Sequence, residues 1–181
     1  YKKLLLIREN GHDFSQIDIK KFPTKYDIST LGYNFRINEI NSSLGISQIK
    51  KLNRFIKLKR KIANLYFDKL NLPEITLPDK KILKISALHL FIIKINFKNL
   101  KIDKFKLINI LKEKSINVNC HYIPLSKFSI IKKNTKTPKL INSEIYFKEA
   151  ISIPMYPDLN YKKQIYFIKI LKDIINKYRI L

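Results

Sequence analysis

An α/β architecture, one long helix leading into a small layered domain, is what this 181-residue sequence predicts, and three stretches carry the prediction. From Ile37 the apolar residues fall at Ile37, Ile40 and Leu44, then at Ile49, Leu52, Ile56, Ile62, Tyr66 and Leu70. That spacing approximates a single stripe along a helix of about 3.6 residues per turn. Leu88 to Phe97 is a β-rich run, apolar on both faces until Lys94 and Asn96, which reads as a well-covered strand. From there the pattern alternates strand, helix, strand, helix, the signature of a small α/β or α+β layer domain.

Taken in order, Tyr1 to Arg8 mixes Leu and Ile with Lys and closes an element, with Gly11 as its stop. His12 to Thr30 carries Asp13, Asp18 and Pro23 with little periodicity and reads as a connection. In the long helix a break or bend is expected at Gly45, because glycine weakens a helix interior by about 1 kcal/mol. Leu72-Pro73 and Leu77-Pro78 end the helix. They place a domain boundary near Pro73, with residues 1–72 on one side and 73–181 on the other. Past the strand at Leu88, Asp103 is a candidate N-cap for a helix carrying Phe105, Ile108 and Leu111. Ile116, Val118, Cys120 and Tyr122 then alternate with Asn117, Asn119 and His121, so a strand is expected there with His121 on the face opposite the apolar set. The last helix carries Ile165, Ile168, Leu171, Ile175 and Tyr178 on one side.

The formal charge of +23 raises nucleic acid as a partner. The excess is almost all Lys, with Arg only at positions 8, 36, 54, 60 and 179, and it is spread along the chain beside abundant Ile and Asn. That distribution favours compositional drift over a binding face, so no specific nucleic-acid partner is expected. Cys120 is the single cysteine, which excludes an intrachain disulfide and suits a reducing cytoplasm. No Cys/His spacing reads as a zinc site, and no metal is expected. No apolar run approaches the roughly 20 residues that span a bilayer, so no membrane partner is expected.

The segment Leu31-Gly32-Tyr33-Asn34-Phe35-Arg36 is the most informative. An amide and a guanidinium two residues apart, just before a long helix, place polar groups where a helix N-terminus holds anions well. Physics alone reads this as a phosphate or carboxylate site; the plainer alternative is a helix start with a solvated arginine, Asn34 acting as cap.

The order Gly-Tyr-Asn-Phe-Arg, Asn38-Glu39-Ile40, Leu44-Gly45, Gln48-Ile49-Lys50-Lys51-Leu52 and Arg60-Lys61-Ile62-Ala63-x-x-Tyr66 resembles the DegT/DnrJ/StrS nucleotide-sugar aminotransferases. Further blocks keep the family's order: Arg8-Glu9-Asn10-Gly11, His89-Leu90-Phe91, His121-Tyr122-Ile123-Pro124, Ser143-Glu144-x-Tyr146 and Ser152-Ile153-Pro154-Met155-Tyr156-Pro157. Within the family, residues 121–127 and 144–159 look most like the UDP-4-amino-4,6-dideoxy-N-acetyl-beta-L-altrosamine transaminases of pseudaminic acid synthesis.

The resemblance spans the chain but only the C-terminal half of such an enzyme. It implies the C-terminal part of a fold-type I, pyridoxal 5'-phosphate-dependent transferase, with residues 1–72 a remnant of the large cofactor-binding domain and 73–181 the small domain. The lysine that forms the Schiff base lies upstream of the Arg-x-x-Gly block in the family. No catalytic residue is therefore expected here, and the chain, which starts at Tyr1 without Met, is expected to be a piece that does not transaminate alone and holds cofactor poorly. Carried over by resemblance, Asn34 reaches across a homodimer interface to the phosphate of the neighbour's cofactor, with Arg36 as companion. His121 and Tyr122 face the nucleotide-sugar substrate, and glutamate is the amino donor. His89 reads as structural, and Tyr156 with Pro154 and Pro157 as a rigid turn. Two rival readings stand beside this one: a noncatalytic basic protein that binds nucleic acid or another polyanion, and a subunit that completes an active site in trans.

Overall fold

The structure, a computed structural model, describes residues 1–13, 27–135 and 140–180, so most of the connection expected at 12–30 lies outside the described residues. Seven α-helices and five strands are described, beside two short 3-10 helices: α1 Lys2–Arg8, β1 His12–Asp13, β2 Asp27–Ile28, α2 Glu39–Lys69, β3 Ile75–Thr76, α3 Ile82–Ile85, β4 Phe91–Ile95, α4 Lys104–Glu113, α5 Ser129–Asn134, α6 Ile141–Glu149, β5 Ala150–Ile153 and α7 Tyr161–Tyr178. They fall into two compact units, Tyr1–Lys51 and Leu52–Leu181. Pro73, expected near a domain boundary, falls within the second of these units.

In the first unit α1 ends as the sequence predicts. The Gly11 amide closes back on the Leu6 carbonyl at 2.7 Å, and Gly11 takes φ 81°, a conformation that costs glycine little. β1 and β2 pair antiparallel, His12 opposite Ile28 and Asp13 opposite Asp27. Residues 31–36 lie alongside 7–11, held by the Tyr33 amide on the Ile7 carbonyl (2.6 Å), the Asn10 amide on Tyr33 (3.0 Å) and the Phe35 amide on Arg8 (3.1 Å). Two glycines allow the approach. A Cβ on Gly11 would stand 1.8 Å from the Thr30 carbonyl oxygen, and one on Gly32 would stand 2.2 Å from the Gly11 nitrogen.

Helix α2 runs unbroken through Gly45, against the expected bend. A glycine penalty of about 1 kcal/mol is small beside a ladder of backbone hydrogen bonds that continues on both sides. Nothing lies within 4 Å of a Cβ built at Gly45, so packing does not require the glycine either.

The core of the second unit is a three-stranded antiparallel sheet in the order β3-β4-β5, with Ile75 opposite Ile95 and Ile93 opposite Ile151. The strand expected over Leu88 to Phe97 shortens to β4, whose inward residues Phe91, Ile93 and Ile95 are fully buried. The strand expected at 116–122 does not form. Asn119 makes one isolated bridge to Ser152, and the strand that pairs with β4 is β5, built from residues read only as a family block and a turn. Alternation is a weak cue where two of the three polar positions are Asn, a poor strand former.

Asp103 caps α4, its carboxylate accepting from the Lys106 amide at 2.8 Å, and Asn160 caps α7 in the same way. Helix α7 buries Phe167, Ile168, Leu171, Ile174 and Ile175, a stripe rotated slightly from the one read in the sequence. The last turns of α2 add Ile62, Ala63 and Tyr66 to the same core. The Tyr66 ring meets Phe91 and Phe167, and its hydroxyl donates to the Pro154 carbonyl at 2.7 Å. Burial pushes that phenol above its ordinary range.

Candidate functional site

Two groups of residues singled out by the sequence lie one in each unit. In the first, the backbone pairing of 31–36 with 7–11 sets Asn34 opposite Glu9. The Asn34 side chain is exposed, and among the described residues it has no recorded hydrogen bond. Arg36 is also exposed, at 64% of its side chain, and its Nη2 donates to Glu9 Oε2 at 2.6 Å. The other Glu9 oxygen takes a hydrogen bond of 3.1 Å from Arg8 Nε. That hydrogen bond from Arg36, aided by the charges of Arg36 and Arg8 and opposed by partial burial, holds the Glu9 carboxyl below the usual carboxylate range. Two guanidiniums against one carboxylate leave the cluster net positive.

The helix end plays a smaller part than expected. Asn38, not Asn34, caps α2: its Oδ1 accepts from the Asn41 amide at 2.8 Å, and Glu39 adds an acid to the first turn. With a donor already satisfied and a negative charge at the end, the helix N-terminus is a poor anion seat. Asn34 and Arg36 stand clear of it, so the reading of Asn34 as a simple cap is set aside. Donors suited to a phosphate are nonetheless present, an unpaired amide with two N–H groups beside a positive guanidinium pair.

In the second unit His121 is half-buried and Tyr122 is 75% exposed. Tyr122 lines an open, mainly apolar cleft of about 680 Å³ with Pro124, Leu125, Phe128, Asn142 and Tyr146. His121 faces the other way. Its Nε2 lies 2.8 Å from the Ser152 hydroxyl, and its Nδ1 is buried with no hydrogen-bond partner among the described residues. Its ring meets the Tyr122 ring edge-on at 4.7 Å. The sequence paired His121 and Tyr122 in one role; the geometry separates an inward imidazole from an outward phenol.

His89 lies exposed in the turn before β4, which does not support an apolar-strand role for it. Cys120 is a free thiol packed against the core. Among the described residues no group of three His, Cys, Asp or Glu could hold a metal ion, and no helix is long and apolar enough to cross a membrane. Glu9 and Ser152 went unassigned in the sequence. Both lie in quoted blocks, but their partners are 27 and 31 residues away and no local pattern announces them.

A long helix and a small three-stranded layer domain match part of the fold of solved pyridoxal-phosphate-dependent sugar aminotransferases. PseC of Helicobacter pylori, an aminotransferase involved in the biosynthesis of pseudoaminic acid, superposes with a TM-score of 0.78 over 98% of this chain and 46% of its own, at 23% identity. The PMP form of the sugar aminotransferase Spr1654 of Streptococcus pneumoniae gives 0.78 over 98% and 43%, at 22% identity. The profile of the DegT/DnrJ/EryC1/StrS aminotransferase family matches residues 2–172, and the chain belongs to that family. A UDP-4-amino-4,6-dideoxy-N-acetyl-beta-L-altrosamine transaminase of Campylobacter jejuni is 32% identical over 178 residues, which is 97% of this chain and 45% of that protein. The chain therefore spans less than half the length of the curated relatives it matches.

Proposed function

We propose that residues 1–181 form the C-terminal part of a pyridoxal-phosphate-dependent aminotransferase acting on a keto nucleotide sugar, with glutamate as amino donor, in the cytoplasm. The observation that carries the proposal is the open presentation of Asn34 and Arg36 on a segment clamped by backbone hydrogen bonds, with one Arg36 nitrogen anchored on Glu9. When bound, the cofactor supplies the electron sink for moving an amino group. The chain's own residues bind and orient: the Asn34 amide and the Arg36 guanidinium take the phosphate of a cofactor housed by the partner subunit of a homodimer. Tyr122 and the cleft around it take the nucleotide-sugar substrate, while His121 supports Tyr122 from behind.

In this reading residues 1–72 belong to the large cofactor-binding domain with its linking helix, and residues 73–181 to the small domain. Burial of Ile62, Ala63 and Tyr66 joins the end of that linking helix to the small domain's core. The lysine that carries the cofactor belongs to the segment N-terminal to residue 1. Residues 1–181 by themselves then give no turnover, whereas the chain joined to that segment transfers an amino group from glutamate and shows cofactor absorbance. In the joined enzyme Arg36→Ala weakens cofactor affinity by roughly tenfold to a hundredfold, the range of one charge-assisted hydrogen bond. Unaided transamination by 1–181, or cofactor affinity indifferent to both Asn34→Ala and Arg36→Ala, overturns the reading.

A further inference from the structure

We infer that Ser152 is a positioning residue for Tyr122, acting through His121 held as the neutral tautomer with its proton on Nε2. The inference rests on the proposal that Tyr122 faces substrate, and it adds the device that sets that phenol in place. Residues 116–128 make no strand, so little secondary structure fixes Tyr122. What ties this stretch to the sheet is one bridge, in which the Ser152 amide donates to the Asn119 carbonyl at 2.8 Å and the Asn119 amide donates back to Ser152 at 3.1 Å. Ser152 sits mid-strand in β5, 6% exposed, with Ile92 of β4 as its partner on the other side. It is a rigid place from which to hold a loop.

The hydroxyl of Ser152 completes the attachment. It lies 2.8 Å from His121 Nε2 and 3.3 Å from the Asn119 carbonyl oxygen, and it has one proton to give. If that proton went to His121, the imidazole proton would sit on Nδ1, which is buried with no hydrogen-bond partner. A buried donor without an acceptor is the costlier orphan. With the hydroxyl donating to Asn119, His121 Nε2–H donates to Ser152 Oγ, and only a lone pair on Nδ1 goes unused. The relay His121 Nε2–H to Ser152 Oγ–H to Asn119 carbonyl thus fixes both tautomer and ring plane. The ring plane matters because the Tyr122 ring rests edge-on against it at 4.7 Å. The sheet orients the serine, the serine orients the imidazole, and the imidazole sets the angle at which Tyr122 enters the cleft.

The test uses residues 1–181 without cofactor or substrate, so its outcome is independent of whether the aminotransferase reading stands. Long-range proton–nitrogen NMR spectra at about pH 8, well above the ordinary histidine range, report which ring nitrogen of His121 is protonated. The His121–Tyr122 cross-relaxation reports the ring contact. The expected result is a proton on Nε2, a pyridine-type Nδ1 and a strong ring-to-ring cross-peak. Ser152→Ala gives a mixture of tautomers and loses the cross-peak, and Ser152→Thr, which keeps the hydroxyl, restores both. His121→Phe removes the clip without touching β5, and hydrogen exchange at Tyr122 and Ile123 speeds up roughly tenfold while Ile93 and Ile151 stay protected. A proton on Nδ1 in the unaltered chain, a Ser152→Ala spectrum unchanged from the parent, or exchange at Tyr122 unmoved by His121→Phe overturns the proposal.

Discussion

Glu9 is shared by two arginines, and that sharing governs how the Asn34 segment answers to pH. Its carboxyl is depressed in the folded chain, so the pair with Arg36 is fully formed above the ordinary carboxylate value of 4.5 and is lost as pH falls through the lower, folded value. Arginine side-chain NMR signals of Arg36 are expected to hold steady on acidification past the ordinary carboxylate range, then to sharpen and move together as Glu9 takes up its proton. Movement already complete near pH 4.5 would contradict the pairing. A second residue-level expectation concerns Tyr66. Removing its hydroxyl in Tyr66→Phe leaves the Pro154 carbonyl without its donor and costs about 1 kcal/mol by denaturant titration. At this scale the sequence was partly legible. Asn34, Arg36 and Tyr122 were singled out through short blocks of resemblance, whereas the contacts of Glu9 with Arg36 and of Ser152 with His121 join residues far apart in the chain, which no window of residues displays.

Helix caps and core stripes were the legible elements, because Asp103 and the apolar period of α7 act locally. The strand at 116–122 was misread for a related reason. Whether an extended segment joins a ladder depends on what lies beside it, and along the outer edge of β5 this stretch meets the strand at Asn119 alone, in one bridge with Ser152. Two substitutions test the elements directly. Gly45→Ala is expected to stabilise α2 by about 1 kcal/mol, since the helix is continuous there and open space surrounds the new methyl. Leu171→Ala removes a fully buried side chain from α7 and is expected to cost about 3 kcal/mol, read as a lower urea midpoint at unchanged slope.

Across the whole molecule, two charge effects act in opposite senses. Glu74, 3% exposed, is held by Arg179 through paired hydrogen bonds of 2.6 and 3.0 Å, which join the end of α7 to the strand pair β3-β4. That hydrogen bonding, against the cost of burial, lowers the Glu74 carboxyl, so its stabilisation is present above pH 4.5 and disappears as pH falls below. Glu74→Gln is expected to lower the melting temperature near neutrality and to flatten the acid limb of stability against pH. The formal charge of +23 works against compactness everywhere else. Raising ionic strength from about 0.01 M to about 0.15 M shortens the reach of charge from about 30 Å to about 8 Å. The melting temperature should therefore rise with salt, and a fall would show that attraction dominates.

The crossing at Gly11 and Gly32 carries a consequence for mutation. At Gly32 the missing Cβ would meet the Gly11 nitrogen, and at Gly11 it would meet the Thr30 carbonyl, so neither position has slack to lend. An alanine at either would wedge the two passes apart, and no compensating side-chain change could make room, because the nearest atoms it would meet are backbone. The loop bearing Asn34 can consequently be kept or discarded whole, with no stepwise route between.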